Sequence, residues 1–375
     1  MFIHERNDWP QFTWDLKKIG QRLASVRHEQ GRLLGQMLSL GFKFQQEAIL
    51  ETLTSDVMKS SEIEGERLEL GQVRSSIARR MGMDIGGLKS TERHVEGVVE
   101  MMLDATRNYD HPLTSDRLFG WHSALFPTGR SGMRPLQIGV WRDDRKGPMQ
   151  VVSGPIGRER VHFEAPPATR LSNEMFVFLN WYNKTSDMDL VIKAGLAHLW
   201  FVTLHPFDDG NGRIARAIGD MTLARSEKSP QRFYSLSAQI LLERASYYDA
   251  LERTQKGTLD VTLWMDWFLM CLSRAIHGAQ NTLAGVLTKA HFWKSVEGIP
   301  LNDRQRSVIS RLLEGFQGNL TTSKWAKLTK CSQDTALRDI LDLAEKGVLA
   351  KGPEGGRSTH YSLVHKRGEK GLISS

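Results

Sequence analysis

Apolar residues recur at helical spacing through most of this 375-residue chain, and that periodicity limits its fold more than any other feature. Leu16, Ile19, Leu23, Val26, Leu33, Leu34, Met37 and Leu38 follow it, predicting two or three helices between residues 16 and 52. Further helices are predicted over 55–65, where Gly65 supplies a C-terminal cap, and over 68–81, 91–108, 115–125, 168–183, 190–204, 213–226 and 241–275. Residues 127–167 differ, being rich in Gly, Pro and Arg. Two β-type runs there, 150–153 and 160–163, flank Gly154-Pro-Ile-Gly157 and predict the one hairpin of the central region. A lone hairpin needs a surface to lean on. The expected class is mainly α.

With 40% hydrophobic and 25% charged residues the chain is not of disordered composition. The apolar run 199–204 is interrupted by Thr203 and is far too short to span a bilayer. No basic-then-apolar order marks the first ten residues as a signal peptide, so a cytoplasmic protein without membrane contact is expected. Cys271 and Cys331 lack metal-type spacing and read as reduced, buried thiols in helical stretches. Fifty Lys and Arg against 43 Asp and Glu leave a net charge of +7. Residues 301–375 hold 13 basic and 8 acidic residues, so +5 of that excess is C-terminal. There, helices predicted over 302–314, 323–329 and 332–346 precede two short strands around a Gly-rich turn, the order of a winged helix-turn-helix. Its third helix would present Gln333, Thr335 and Arg338 to a DNA groove, with Lys324, Lys327, Lys330, Arg357 and His360 as phosphate contacts. Asp339, Asp342 and Glu345 would repel phosphates unless turned away, and docking to a protein is an equal alternative.

The chemistry concentrates in residues 204–216, Leu-His-Pro-Phe-Asp-Asp-Gly-Asn-Gly-Arg-Ile-Ala-Arg. Pro206 ends the preceding helix, and Gly210, Asn211 and Gly212 tolerate positive φ and leave backbone N–H groups unobstructed. A helix starting there forms an anion nest. Arg213 and Arg216 lie three apart on one face and can grip two phosphates. Asp209 is placed for a phosphate-bound Mg²⁺, and His205 for taking a hydroxyl proton. The combination describes nucleotidyl or phosphoryl transfer.

These residues also resemble, position for position, the HxFx(D/E)GNGRxxR signature of Fic-domain proteins. The resemblance implies an all-α core with a β-hairpin flap that moves AMP from ATP to a Ser, Thr or Tyr hydroxyl of a protein. By it His205 is the general base, Asp209 the Mg²⁺ ligand and Phe207 an apolar anchor. Gly210, Asn211 and Gly212 hold the α- and β-phosphates, Arg213 the β-phosphate region and Arg216 the γ-phosphate. Gln150, Val151, Val152 and Ser153 begin the flap that pins a target segment by strand addition. Tyr247-Tyr248-Asp-Ala-Leu251 resembles the helix lining the adenine pocket, although Tyr248 suits a core position equally well.

Ser60-Ser-Glu-Ile-Glu-Gly65 resembles the Fic inhibitory pattern (S/T)xxxE(G/N), with Ser60, Glu64 and Gly65 matching. The implied pair is Glu64 with Arg216, which would leave ATP in an unproductive pose. The Trp9-Pro-Gln-Phe-Thr-Trp14 opening resembles an N-terminal domain often joined to Fic cores. Three domains are expected: 1–90, 91–296 and 297–375. The leading expectation is an autoinhibited protein adenylyltransferase using ATP and Mg²⁺ that also labels itself. A de-AMPylase, a transferase of another phosphate-containing group, or a DNA-binding regulator with a nucleotide-sensing Fic core are the alternatives, and homodimerisation stays open.

Overall fold

From Leu190 to Leu204 only Lys193, His198 and Thr203 are polar, so the helix they form has no face suited to water. It is buried from Val191 to Leu204 and lies at the centre of the fold. The computed structural model describes residues 1–375 apart from 39–40, 84–88, 146, 156, 314–315, 317, 353–358 and 365–375. The chain divides into two units, Met1–Leu283 and Ala284–Ser375.

The first unit begins with a strap whose Trp9 and Phe12 rings pack edge-on against Trp200, at 6.0 and 5.4 Å. Then follow α1 (Leu16–Leu38), α2 (Phe42–Ile63), α3 (Leu70–Met81), α4 (Arg93–Arg107) and α5 (Ser115–Leu125). Two strand pairs come next, β1 (Arg130–Ser131) with β2 (Arg134–Pro135), and β3 (Gln150–Ser153) with β4 (Arg160–Glu164). The unit continues with α6 (Ala168–Asn183), the central α7 (Leu190–Leu204), α8 (Asn211–Glu227), α9 (Leu236–Leu242) and α10 (Arg244–Gln255), and α11 (Thr262–Ser295) begins in it. The α7–α8 pair is the core. Around it α2 packs along α9 and reaches α8, while α4 packs on α5 and α8.

Gly97 permits the α4–α5 approach. A Cβ there would meet the Ala124 carbonyl oxygen at 1.7 Å, a backbone atom that cannot swing aside. Gly97→Ala is therefore expected to cost about 1–3 kcal/mol of unfolding free energy in a urea titration, despite alanine's better helix propensity.

Several expectations need correction. Residues 55–65 are the end of one long helix, α2, because nothing between Phe42 and Ile63 breaks the backbone ladder. The helix expected over 241–275 is α9, α10 and α11 in succession. Gly257 follows α10, and Thr13 of the strap forms a bridge with Asp260 in the gap. The central region has a second, smaller hairpin, β1–β2, turned by Gly132 at φ +55°. Cys271 is buried, but Cys331 is half-buried and follows α13 rather than lying in a helix.

The second unit holds α12 (Asp303–Leu313), α13 (Thr322–Thr329), α14 (Gln333–Glu345) and the antiparallel strands β5 (Leu349–Lys351) and β6 (Tyr361–Leu363). This is the expected element order, packed on Val308, Ile309, Trp325, Ile340 and Leu343. Asp339 is buried and turned inward onto Arg304 at 2.7 Å, whereas Asp342, which meets Gln305 at 2.7 Å, keeps a side chain 43% exposed. The exposed side of α14 carries Arg338 together with Leu337 and Leu341. Arg357 and the turn around it lie outside the described residues. No helix among the described residues is long and apolar enough to cross a membrane.

Candidate active site

The loop between α7 and α8 is built by its own sequence. His205 closes α7 in the left-handed region at φ 49°, and Gly210 opens α8 at φ 82°. Asn211 clamps the loop: its side-chain amide donates to the Phe207 carbonyl at 2.8 Å and its Oδ1 accepts from the Phe207 N–H at 3.0 Å. That leaves its backbone N–H, not its side chain, to face an anion. Phe207 is fully buried and stacks on His122 with ring centres 4.2 Å apart.

His205 is held in one tautomer. Its Nδ1 lies 2.9 Å from the Val202 carbonyl, which can only accept, so Nδ1 carries the hydrogen and Nε2 keeps a free lone pair. Burial pushes its pKa below the ordinary 6.5, and the Arg142 guanidinium pushes the same way. The Val202 carbonyl and the Glu64 and Asp209 carboxylates push back. Arg142 is a residue the sequence reading missed. Only 3% exposed, it donates through Nε to the His205 carbonyl at 2.8 Å and through its backbone N–H to the Pro206 carbonyl at 2.9 Å. An arginine in a Gly- and Pro-rich stretch gives no signal of such a role.

Beyond the loop the helix start is cationic and already occupied. Arg216, 1% exposed, donates from Nε to Ser60 Oγ at 2.9 Å, and from Nη2 to the Ser60 carbonyl at 2.9 Å and to Glu64 Oε1 at 2.7 Å. The serine of the (S/T)xxxE(G/N) pattern is thus an acceptor for the same guanidinium as the glutamate. Glu64, Gly65 and Glu66 form the turn that follows α2: Gly65 takes φ +86°, its N–H reaches the Glu62 carbonyl, and the Glu66 N–H reaches the Ser61 carbonyl at 3.0 Å. Glu64 lies hard against the nest, since a Cβ on Gly212 would meet its Oε1 at 2.2 Å. The sequence reading also missed that Arg213 is paired, its Nη1 being 2.5 Å from Glu66 Oε2, with the Phe126 ring 5.0 Å beneath.

The site suits a polyphosphate. Arg213 Nε and Arg216 Nη1 are buried donors with no partner, costly groups to leave unmet unless another acceptor meets them. Asp209 is a single carboxylate whose Oδ1 accepts from the Gly210 N–H at 2.6 Å. No cluster of three or more His, Cys, Asp or Glu able to hold a metal occurs among the described residues. One carboxylate at the loop fits a Mg²⁺ whose remaining ligands are phosphate oxygens and water.

The β3–β4 hairpin has the support a lone hairpin needs. Phe163 of β4 packs edge-on against Phe2 and His4, at 5.1 and 5.7 Å, and His4 Nε2 lies 2.8 Å from the Glu164 carbonyl. On the other side Glu252 of α10 binds His162 Nδ1 at 2.6 Å and Arg160 at 3.1 Å. Ser153 Oγ is 2.6 Å from the second nitrogen of His162. Lys256 and His162 hold the Glu252 carboxyl down to about 2. Val152 and Val161 are exposed on the opposite face and, with Gln150 and Asp208, line a cleft of about 440 Å³. Of the loop, only Asp208 lines the cleft. Of the neighbouring tyrosines on α10, Tyr247 is buried and bonded to His198 at 2.9 Å, while Tyr248 is 39% exposed. Burial raises both phenols, and both lie close enough to Glu64 and Arg216 to feel their charges.

Residues 112–223 match the family model described as Fic/DOC family. That stretch is a Fic domain. Residues 2–83, ahead of the Fic domain, match a domain of unknown function, DUF4172. The protein adenylyltransferase fic-1 of Caenorhabditis briggsae is 29% identical over 226 residues, 56% of this chain and 38% of that protein. A uridine 5′-monophosphate transferase of Xanthomonas campestris pv. campestris is 32% identical over 127 residues, 32% of this chain and 22% of that protein. The chain thus matches less than two fifths of the length of these relatives. A Fic family protein from Desulfovibrio desulfuricans G20 shares the fold with a TM-score of 0.51 at 20% identity, covering 93% of this chain and 97% of that one.

Proposed function

We propose that the Fic domain transfers AMP from ATP to a hydroxyl of a protein, and that Glu64 holds this activity low. The single observation carrying the reading is the pairing of a free His205 Nε2 with unmet buried guanidinium donors at one helix start. In the reaction the acceptor oxygen attacks the α-phosphorus, its proton passes to His205 Nε2, and the bond to the β-phosphate oxygen breaks to release pyrophosphate. The nest N–H groups with Arg213 and Arg216 stabilise the developing charge. Mg²⁺ between Asp209 and the phosphates would supply further neutralisation. Names of relatives support the class of reaction, and one relative's name specifies UMP rather than AMP, so the base preference belongs in the test.

The test uses ATP and, separately, UTP labelled at the α-phosphate, with Mg²⁺. Label fixed in protein by the Glu64→Gly chain, and not by Glu64→Gly/His205→Ala, is expected with ATP. No protein labelling by Glu64→Gly with either nucleotide, in the presence of a cell extract as acceptor, removes the proposal. Reverse removal of AMP and a regulatory DNA contact through α14 predict no such labelling.

The flap is read as the surface that pins the target segment, with Val152 and Val161 toward the open cleft. Glu252 would set its position from α10, one turn beyond Tyr248. In the Glu64→Gly background, Glu252→Ala is expected to raise KM for a protein acceptor about fivefold or more while KM for ATP stays within twofold. Steady-state kinetics with each substrate varied in turn measures the split.

A further inference from the structure

Glu66 lies outside the six-residue inhibitory pattern, yet it engages the other phosphate-site arginine. One turn, with Gly65 at φ +86° between them, presents Glu64 to Arg216 at 2.7 Å and Glu66 to Arg213 at 2.5 Å. The Arg213 side chain is 3% exposed, whereas that of Glu66 is 43% exposed, so the carboxylate reaches in from the rim to a cation that has little other access to water. Arg213 keeps one buried donor, Nε, without a partner even so. Two carboxylates thus stand where two phosphates of one ligand would stand.

We propose that Glu66 is a specificity-determining residue of the nucleotide site: its carboxylate fills the Arg213 seat, and a nucleotide must displace it to place a β-phosphate there. This rests on the reading of Arg213 as the β-phosphate arginine. A nucleoside monophosphate does not reach that seat and gains nothing from its release. Removing Glu64 alone leaves Arg213 still paired, so the two carboxylates act on different phosphates and their removal has distinct consequences.

Binding of AMP and ADP to the full-length chain, measured by titration calorimetry with Mg²⁺, tests this without any transfer step. Glu66→Gln keeps the size of the side chain at a half-exposed position and removes its charge; Glu66→Ala serves as the second variant. Both are expected to tighten ADP about five- to tenfold while AMP changes less than twofold. In the Glu64→Gly background, Glu66→Gln should further lower the KM for ATP. An equal change for AMP and ADP, or no change for ADP, overturns the proposal and assigns the ion pair to holding the turn alone. Absence of nucleotide binding in every variant overturns it together with the transferase reading. Selective tightening of ADP in a protein that transfers nothing overturns only the latter.

Discussion

Replacing Glu64 by glycine is expected to raise AMP incorporation roughly 5- to 150-fold, the usual range of coupling between two states of one protein. The cause is local. Arg216 is buried and meets three acceptors, Ser60 Oγ, the Ser60 carbonyl and Glu64 Oε1, of which only the last is charged. A γ-phosphate must compete with that carboxylate, and Glu64 Oε1 also occupies space directly over Gly212. Glycine at 64 clears both the charge and the volume. The serine contacts remain to hold the guanidinium in place, so the site is opened, not dismantled. A Glu64→Gln variant separates the two effects, because it keeps the volume and loses the charge. Its activation should fall between those of native protein and Glu64→Gly. The rate of fixation of label from the ATP α-phosphate checks all three, and no increase in Glu64→Gly would remove the inhibitory role.

Loss of His205 is the largest decrease expected. In the Glu64→Gly background, His205→Ala should lower the transfer rate by about 10²–10⁴-fold, the contribution of a positioned general base. Binding of ADP should change little, since the imidazole has no part in the phosphate seat. The pH profile carries a second signature. The base works when neutral, and burial holds its pKa below the ordinary 6.5, so activity should be flat above neutrality and decline only on the acid side of 6.5. Glu64 pushes that pKa up, so its removal should move the acid limb to still lower pH. A limb that moved upward in Glu64→Gly would contradict the assignment. Profiles of kcat/KM between about pH 5 and pH 8 decide it.

Much of this was legible before any coordinates. Periodicity located α5, α6 and α7 to the residue, because each is bounded by a proline, a cap or a sharp change in polarity. It merged α9, α10 and α11, since the break at Gly257 is stabilised by pairing with a strap almost 250 residues earlier, which local spacing cannot show. The loop from His205 to Arg216 was readable because its conformation is largely self-contained: a left-handed helix end, an asparagine clamp four residues long and a helix start.

What the sequence by itself determined was the presence of a helix start bearing two arginines with a histidine beside it, through residues adjacent in the chain. Only the tertiary structure decided what occupies that start. Glu66 on Arg213 and Arg142 on the His205 carbonyl join residues 147 and 63 positions apart. Ion pairs of that kind depend on where packing brings two backbones together, and an isolated glutamate or arginine carries no mark of its partner. The same holds for Glu252 and the flap. The local turn chemistry was written in twelve consecutive residues; the state of the site was written in the burial of helices around it.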